Sequence, residues 1–150
     1  MGVTPPKIRE LVAEDFPAAI RLLAHLNPGT APDVLQQRFE TILAEHPHYH
    51  AFGAFIDGKL RGLASAWIAT KVWCGRYLEV DNIVVDPELR SSGVGSALIQ
   101  HLETLAREKD CNLAVLDSYT SNHASHRLYH RLGFEIWGFH FVKPLGPLDR

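Results

Sequence analysis

Apolar residues recur along this chain with two periods, and the switches between them divide it into elements. Lys7 to Leu11 has the pattern of a short strand, after which Glu14-Asp15 caps a helical stripe of Phe16, Ala19, Ile20, Leu22, Leu23 and Leu26. Asn27-Pro28-Gly29 stops that helix. A second helix begins near Ala31-Pro32-Asp33 and carries Leu35, Phe39, Ile42 and Leu43 on one face until Pro47 ends it. From His48 to Ile56 and again from Leu60 to Val72 the pattern becomes strand-like, and Asp57-Gly58 between the two is a hairpin turn. Tyr77 to Val85 is a third strand of this group. A helix then carries Val94, Ala97, Leu98, Leu102, Leu105 and Ala106 on one stripe, Leu113 to Asp117 forms a buried strand, and a last helix runs from about Ser121 to Leu132. Gly133 suits a left-handed C-cap there, and Phe134 to Leu145 supplies two final short strands. One crossover helix, between the strands ending at Val85 and Asp117, makes the layout a mixed α/β sheet, parallel locally and antiparallel elsewhere.

Composition narrows the class of protein. At 150 residues and 46% hydrophobic, residues 1–150 have the size of a single domain with a substantial core. Fifteen Lys and Arg against seventeen Asp and Glu leave a net charge of -2 with no long basic run, which argues against nucleic acid as a partner. The opening Met-Gly-Val-Thr-Pro-Pro-Lys has no apolar signal core and no segment approaches a membrane span, so the expectation is a cytoplasmic protein with no membrane partner. Cys74 and Cys111 lack any metal or redox spacing and read as ordinary thiols.

The candidate chemistry begins at Arg90-Ser-Ser-Gly-Val-Gly-Ser96. A turn with glycines at 93 and 95, at the start of a helix, leaves backbone N–H groups without partners, the geometry that binds phosphate. Neither the dinucleotide fingerprint nor a Walker loop fits, since the third glycine and the lysine they need are missing. On the preceding strand the pleat places Glu79, Asp81 and Ile83 on one face and Leu78, Val80 and Asn82 on the other. Two carboxylates sharing a face raise at least one pKa, which suits a general base. In the last helix Ser121 or Asn122 caps, Ala124, Leu128 and Leu132 form the buried stripe, and Tyr129 lies on a neighbouring face.

These residues together resemble the GCN5-related N-acetyltransferases. The resemblance is carried by Arg90-x-x-Gly93-x-Gly95-Ser-Ala-Leu after Val84-Val85-Asp86-Pro87, with Asn122 to Tyr129 and Gly133-Phe134 beyond. It is strongest from about Leu78 to Lys143, and the first seventy residues match by element order. It implies a central twisted, mostly antiparallel sheet of about seven strands with a parallel splayed pair and flanking helices. It implies acetyl-CoA as cosubstrate, its pyrophosphate held by Ser91, Ser92, Gly93, Val94, Gly95 and Ser96 with Arg90 framing the turn. The backbone of Ile83, Val84 and Val85 would then pair with the pantetheine arm, and Asn122 and Ser125 would contact the pantetheine or adenosine side. Glu79 and Asp81 become candidates for the base, and Tyr129 for the acid that protonates the departing thiolate. Within the family, His123 to Tyr129 and Gly138 to Lys143 are similar to the branch that includes aminoalkylphosphonate acetyltransferases.

The expected activity is therefore direct transfer of an acetyl group to a primary amine of a small molecule, in a ternary complex without an acetyl-enzyme. Trp67, Trp73, Tyr77 and Phe139 are candidates to wall the amine pocket. Family habit implies a homodimer. Two alternatives stay open: a non-catalytic acyl-CoA sensor, and an enzyme that moves a longer acyl group or acetylates a protein N-terminus or lysine. Nine histidines are many for this length, with His123, His126 and His130 on one helix and His46, His48 and His50 near a strand start. Neither set has an HExxH pattern or a clear carboxylate ligand, so no metal is expected.

Overall fold

A computed structural model describes residues 4–149. Its elements are strand β1 (Lys7–Glu10), helices α1 (Phe16–Leu26) and α2 (Pro32–Glu45), strands β2 (Tyr49–Ile56), β3 (Lys59–Lys71) and β4 (Gly75–Val85), helix α3 (Val94–Glu108), strand β5 (Leu113–Leu116) and helix α4 (His123–Arg131). The sheet runs β1-β2-β3-β4-β5, antiparallel through β4, and β5 joins parallel to β4. This is the mixed α/β arrangement expected from the apolar pattern, with five strands rather than about seven. Phe134 to Leu145, read as two closing strands, adopts neither helix nor strand.

Helices cover both faces, so the middle strands carry apolar residues on each side of the pleat. On one face Phe52, Ala54, Ala64, Ala66, Leu78 and Val80 pack under Val94, Leu98, Ile99, Leu102 and Ala106 of α3. On the other, Ala51, Leu63 and Val84 meet Ala19, Ile20, Leu22 and Leu23 of α1 and Leu35 and Phe39 of α2. Leu26 and Leu43, assigned to those helical stripes by period, stay exposed near the helix ends. Asp15 precedes α1 but makes no side-chain cap to it. Its carboxylate instead accepts from both guanidinium nitrogens of Arg9, at 2.7 and 3.0 Å, and from the Val12 N–H at 2.8 Å. The Arg9 hydrogen bonds hold it below the usual carboxylate range.

Gly62 on β3 sets how closely α3 approaches. A Cβ there would lie 3.0 Å from Val94 Cγ1 and 3.1 Å from Leu98 Cδ1, tighter than most packed contacts. Its absence lets the first turn of α3 rest against the sheet, which fixes the glycine loop in front of that turn. Leu98, fully buried beneath, should report this packing. Leu98→Ala is expected to destabilise the protein by about 2–5 kcal/mol, read as a lowered denaturant midpoint with an unchanged slope.

Candidate functional site

The sheet opens at its β4–β5 junction. β5 pairs with Tyr77 to Val80 and ends at Leu116, whereas β4 continues to Val85. The β5-side edge of residues 81–85 thus has no strand alongside it among the described residues. One extra residue in β4 sharpens this divergence. Ser65 pairs with Asn82 and Ala66 with Val80, so Asp81 is a β-bulge opposite β3.

The bulge corrects the simple alternation read from sequence. Ile83 and Val85 turn to the α3 core, while Val84 joins the α1–α2 core. Asn82, assigned to the face opposite the acids, instead meets Tyr49 and Ser65 on the α1–α2 side. Its amide donates to Ser65 Oγ at 3.0 Å, Tyr49 Oη at 3.4 Å and Asp81 Oδ2 at 3.1 Å. Asp81 and Asn82 therefore lie on one side together, and Glu79, paired with Trp67 across β3, precedes the bulge by two residues.

The cleft is acidic, and its acids are held differently. Burial pushes Glu79 above the ordinary carboxylate range, and the negative charge of Asp117 pushes the same way, with Lys71 opposing. Asp81 sits at the mouth, partly open to solvent, yet the surrounding walls remove enough water to raise it as well. The Trp67 indole and the Asn82 amide oppose that rise by hydrogen bonding to its anion. No such donor reaches Glu79 among the described residues, so its lone pairs are free. Tyr49 is buried below, its phenol pushed up to about 12 chiefly by burial.

Aromatic residues line only part of this cleft. Trp67 lies 4.7 Å from the Tyr49 ring and 5.2 Å from that of His46. Tyr77, two residues before Glu79, carries Lys71 Nζ 4.8 Å from its ring centroid. Trp73 and Phe139, the other candidate walls, are exposed, Trp73 in the β3–β4 turn and Phe139 beyond α4.

At the far end of β4 the glycine loop has the expected form. Asp86 caps its first turn, accepting from the Glu88 N–H at 3.0 Å, and Arg61 binds Asp86 at 3.1 Å and Glu88 at 3.5 Å. Arg61 and Asp86 thus frame the turn, where Arg90 was expected to; Arg90 is exposed beside it. Ser91 and Gly93 take positive φ of 63° and 88°. The N–H groups of Gly93, Val94, Gly95 and Ser96 find no backbone acceptor among the described bonds and stand at the N-terminus of α3. The Ser92 hydroxyl is buried with no partner, and so is that of Ser118, just past β5. A buried hydroxyl without a partner costs about 1–3 kcal/mol, and a ligand oxygen would satisfy it. These orphaned groups fit a phosphate-bearing ligand at the loop. The Val94 side chain is core, so only its backbone is available there.

α4 closes the site. Tyr129 is its one fully buried residue; of the Ala124–Leu128–Leu132 stripe expected, Leu128 is half-buried and Leu132 packs against the α3 core, while Ala124 is exposed. Burial raises its phenol, which the Ser125 hydroxyl one turn earlier partly offsets, so it stays a neutral proton donor. Asn122 begins the helix without a side-chain cap, leaving its amide exposed. His126 Nε2 lies 2.8 Å from the Tyr119 carbonyl and His130 Nδ1 3.2 Å from that of Phe134. Among the described residues no three His, Cys, Asp or Glu side chains converge to hold a metal. Among these same residues no helix is long and apolar enough to cross a membrane.

Asp117, His140, Asn82, Ser65, Tyr49, Ser118 and Arg61 were not visible as site residues in the sequence. Asp86-Pro87 was the one available signal, since Asp before Pro opens many short helical turns.

Residues 6–134 match the family described as acetyltransferase (GNAT) family. A Bacillus subtilis (strain 168) protein that carries the name ribosomal protein bS18-alanine N-acetyltransferase is 30% identical over 135 residues, 90% of this chain and 84% of its own. The aminoalkylphosphonate N-acetyltransferase of Salmonella typhimurium is 29% identical over 66% of this chain and 65% of its own. Among solved structures, AAC(6')-Iy bound to a bisubstrate analogue of CoA and monomethyl-acetylneamine superposes with a TM-score of 0.83 at 26% identity, covering 94% of this chain and 99% of that one.

The electrostatics can be tested without substrate. Asp117→Asn should lower the midpoint of Glu79 in a carboxyl NMR titration, because it removes a like charge. Asp81, whose shift does not come from Asp117, should keep its midpoint.

Proposed function

Because the chain belongs to the GNAT acetyltransferase family, we propose that it is a one-domain enzyme that transfers the acetyl group of acetyl-CoA to a primary amine of a small molecule. The observation that carries this reading is the unpaired edge of residues 81–85, which runs from the phosphate-binding loop to the acidic cleft. An extended pantetheine arm fits such an edge as a strand would, pairing with the backbone of Ile83, Val84 and Val85. Ser91 to Ser96 offer N–H groups and the Ser92 hydroxyl to the pyrophosphate, and Asn122 and Ser125 border the arm.

Acetyl-CoA supplies the thioester, an activated acyl group with a thiol leaving group. The chain positions the amine and moves its protons. Glu79, Asp81 and Asp117 attract an alkylammonium, whose ordinary pKa of about 10 leaves it protonated at neutral pH. Glu79, raised and free of donors, takes that proton; Asp81, tied to Trp67 and Asn82, orients the cation. A backbone N–H of β4 near Val84 polarises the carbonyl under attack. Tyr129 gives its proton to the sulfur, a mildly uphill transfer between a phenol and a thiol. Neither Cys74 nor Cys111 lies among these groups, so transfer is direct.

Two unpaired cysteines fit a reducing cytoplasm, and the bare apolar segment after α4 fits a homodimer. A second reading, acetylation of a protein N-terminal amine, draws on the name and coverage of the Bacillus relative.

Thiol release from acetyl-CoA, followed over a panel of small amines and N-terminal peptides, tests both. Turnover with small amines supports the proposal; turnover with peptides alone moves the function to the second reading; CoA binding without turnover leaves a sensor. Tyr129→Phe should lower kcat by about 10²–10⁴-fold with CoA affinity little changed. Glu79→Gln should abolish the acid limb of the kcat/KM profile, since activity falls as pH drops through the raised Glu79 pKa. Asp81→Asn should keep that limb and raise KM for the amine.

A further inference from the structure

Helix α3 stops before the sheet does. It ends at Glu108, while β3 runs on to Lys71 and β4 starts at Gly75, so the face that α3 covers is left bare at this end. A cavity of about 480 Å³ lies there, within the size range of small-molecule sites. Its walls are basic: His48 and His50 around the start of β2, Arg76 on β4 and Lys109 just past α3. No carboxylate lines it. The pleat separates it from the acids. Arg76 alternates with Leu78 of the α3 core, and Tyr77 and Glu79 between and after them turn to the other face.

Arg76 is held in place twice. Its carbonyl accepts from the Asn112 N–H at 2.8 Å, and its Nη1 donates to the Lys109 carbonyl at 2.8 Å. The second bond caps α3, whose C-terminus would otherwise repel an anion. A cap uses one of the five guanidinium donors, and the rest stay available. Among the described residues neither Arg76 nor Lys109 has a salt-bridge partner, whereas Arg9, Arg38, Arg61 and Arg107 each do. The cations crowd one another. Burial chiefly holds His50 below the ordinary histidine range, and Lys109 and His48 push the same way, with Glu10 of β1 opposing. From α3 itself, His101 packs on Phe52, the next residue along that face of β2.

We propose that this cavity is a second binding site, on the opposite face from the acidic cleft, for a small phosphate monoester. The Arg76 fork and Lys109 hold the phosphate, His48 and His50 join them as they protonate, and Ile68 and Ala69 carry a short apolar body. Protonating either histidine adds positive charge, so the anion is held more tightly as pH falls. By the same linkage a bound anion raises the pKa of His50. The site is independent of the acetyl transfer.

Site-resolved NMR on the full chain, without acetyl-CoA, tests it. Inorganic phosphate and butyl phosphate should both shift the His50 ring and the Thr70 amide to saturation, butyl phosphate at roughly tenfold lower concentration because its chain covers the apolar floor. The Gly93 and Gly95 amides report binding at the glycine loop separately. Arg76→Gln with Lys109→Gln keeps an amide that can cap α3, and should weaken the His50 response by about tenfold or more with the loop response unchanged. Sulfate, whose charge is constant from about pH 5.5 to 8, should bind roughly tenfold more weakly at the upper end. Three results overturn the proposal: no saturable shift at His50 and Thr70, a response that the double variant keeps, or a sulfate affinity level across that range. Equal shifts at other exposed cations such as Lys59 mean an adventitious ion only, and overturn it as well.

Discussion

A single extra residue in β4 organises the molecule around it. From Tyr77 to Val80 the strand is paired on both sides; from Asp81 on it keeps β3 and loses β5. A continuous sheet would bury that edge, and its backbone groups would be spent on a neighbouring strand. Here they are left for something else, and an unpaired backbone edge in a protein interior must find a partner in ligand or water. The glycine loop begins at the end of this edge and the acids lie at its start, so one stretch of strand joins two chemistries.

The bulge also explains the polar layer beneath the acids. By bringing Asp81 and Asn82 to the same side, it gives the Asn82 amide the Ser65 hydroxyl, the Tyr49 phenol and the Asp81 carboxylate at once. Such a network keeps its members in fixed orientation, because each buried group would lose more by turning away than water could return. The result is two neighbouring carboxyls with unlike duties. Asp81 is restrained by donors, Glu79 is not, and burial lifts both.

Much of this was legible in the sequence, and the boundary of legibility is physical. Helices and middle strands followed from the period of their apolar residues, because those residues are buried against fixed partners. The loop was readable because glycines at 93 and 95 and a serine between strand and helix have few other uses together. What period cannot reveal is a break in period: the Asp81 bulge adds one residue without changing the composition of the strand, so Ile83 and Asn82 were assigned to the wrong faces. Tyr49, Ser65 and Arg61 join the site from other strands, and such contacts depend on register. The tail failed for a related reason. Its residues have the pattern of strands, yet a pattern does not name the edge that would receive them, and among the described residues they pair with none.

The balance between the loop and the acids decides which part of the site is the more restrictive. Gly93 at φ 88° and the close seat of α3 over Gly62 leave little freedom in the loop, and any ligand it holds is aligned with the β4 edge by backbone alone. The acid end is looser: it is open at the mouth, tuned by charges from β5 and the tail, and lined by few aromatic walls. Backbone recognition is indifferent to side-chain change, whereas an acidic mouth accepts many cations. A site built this way fixes its backbone-bound ligand more tightly than whatever meets the acids, because the loop is rigid and the carboxyls are reached from solvent.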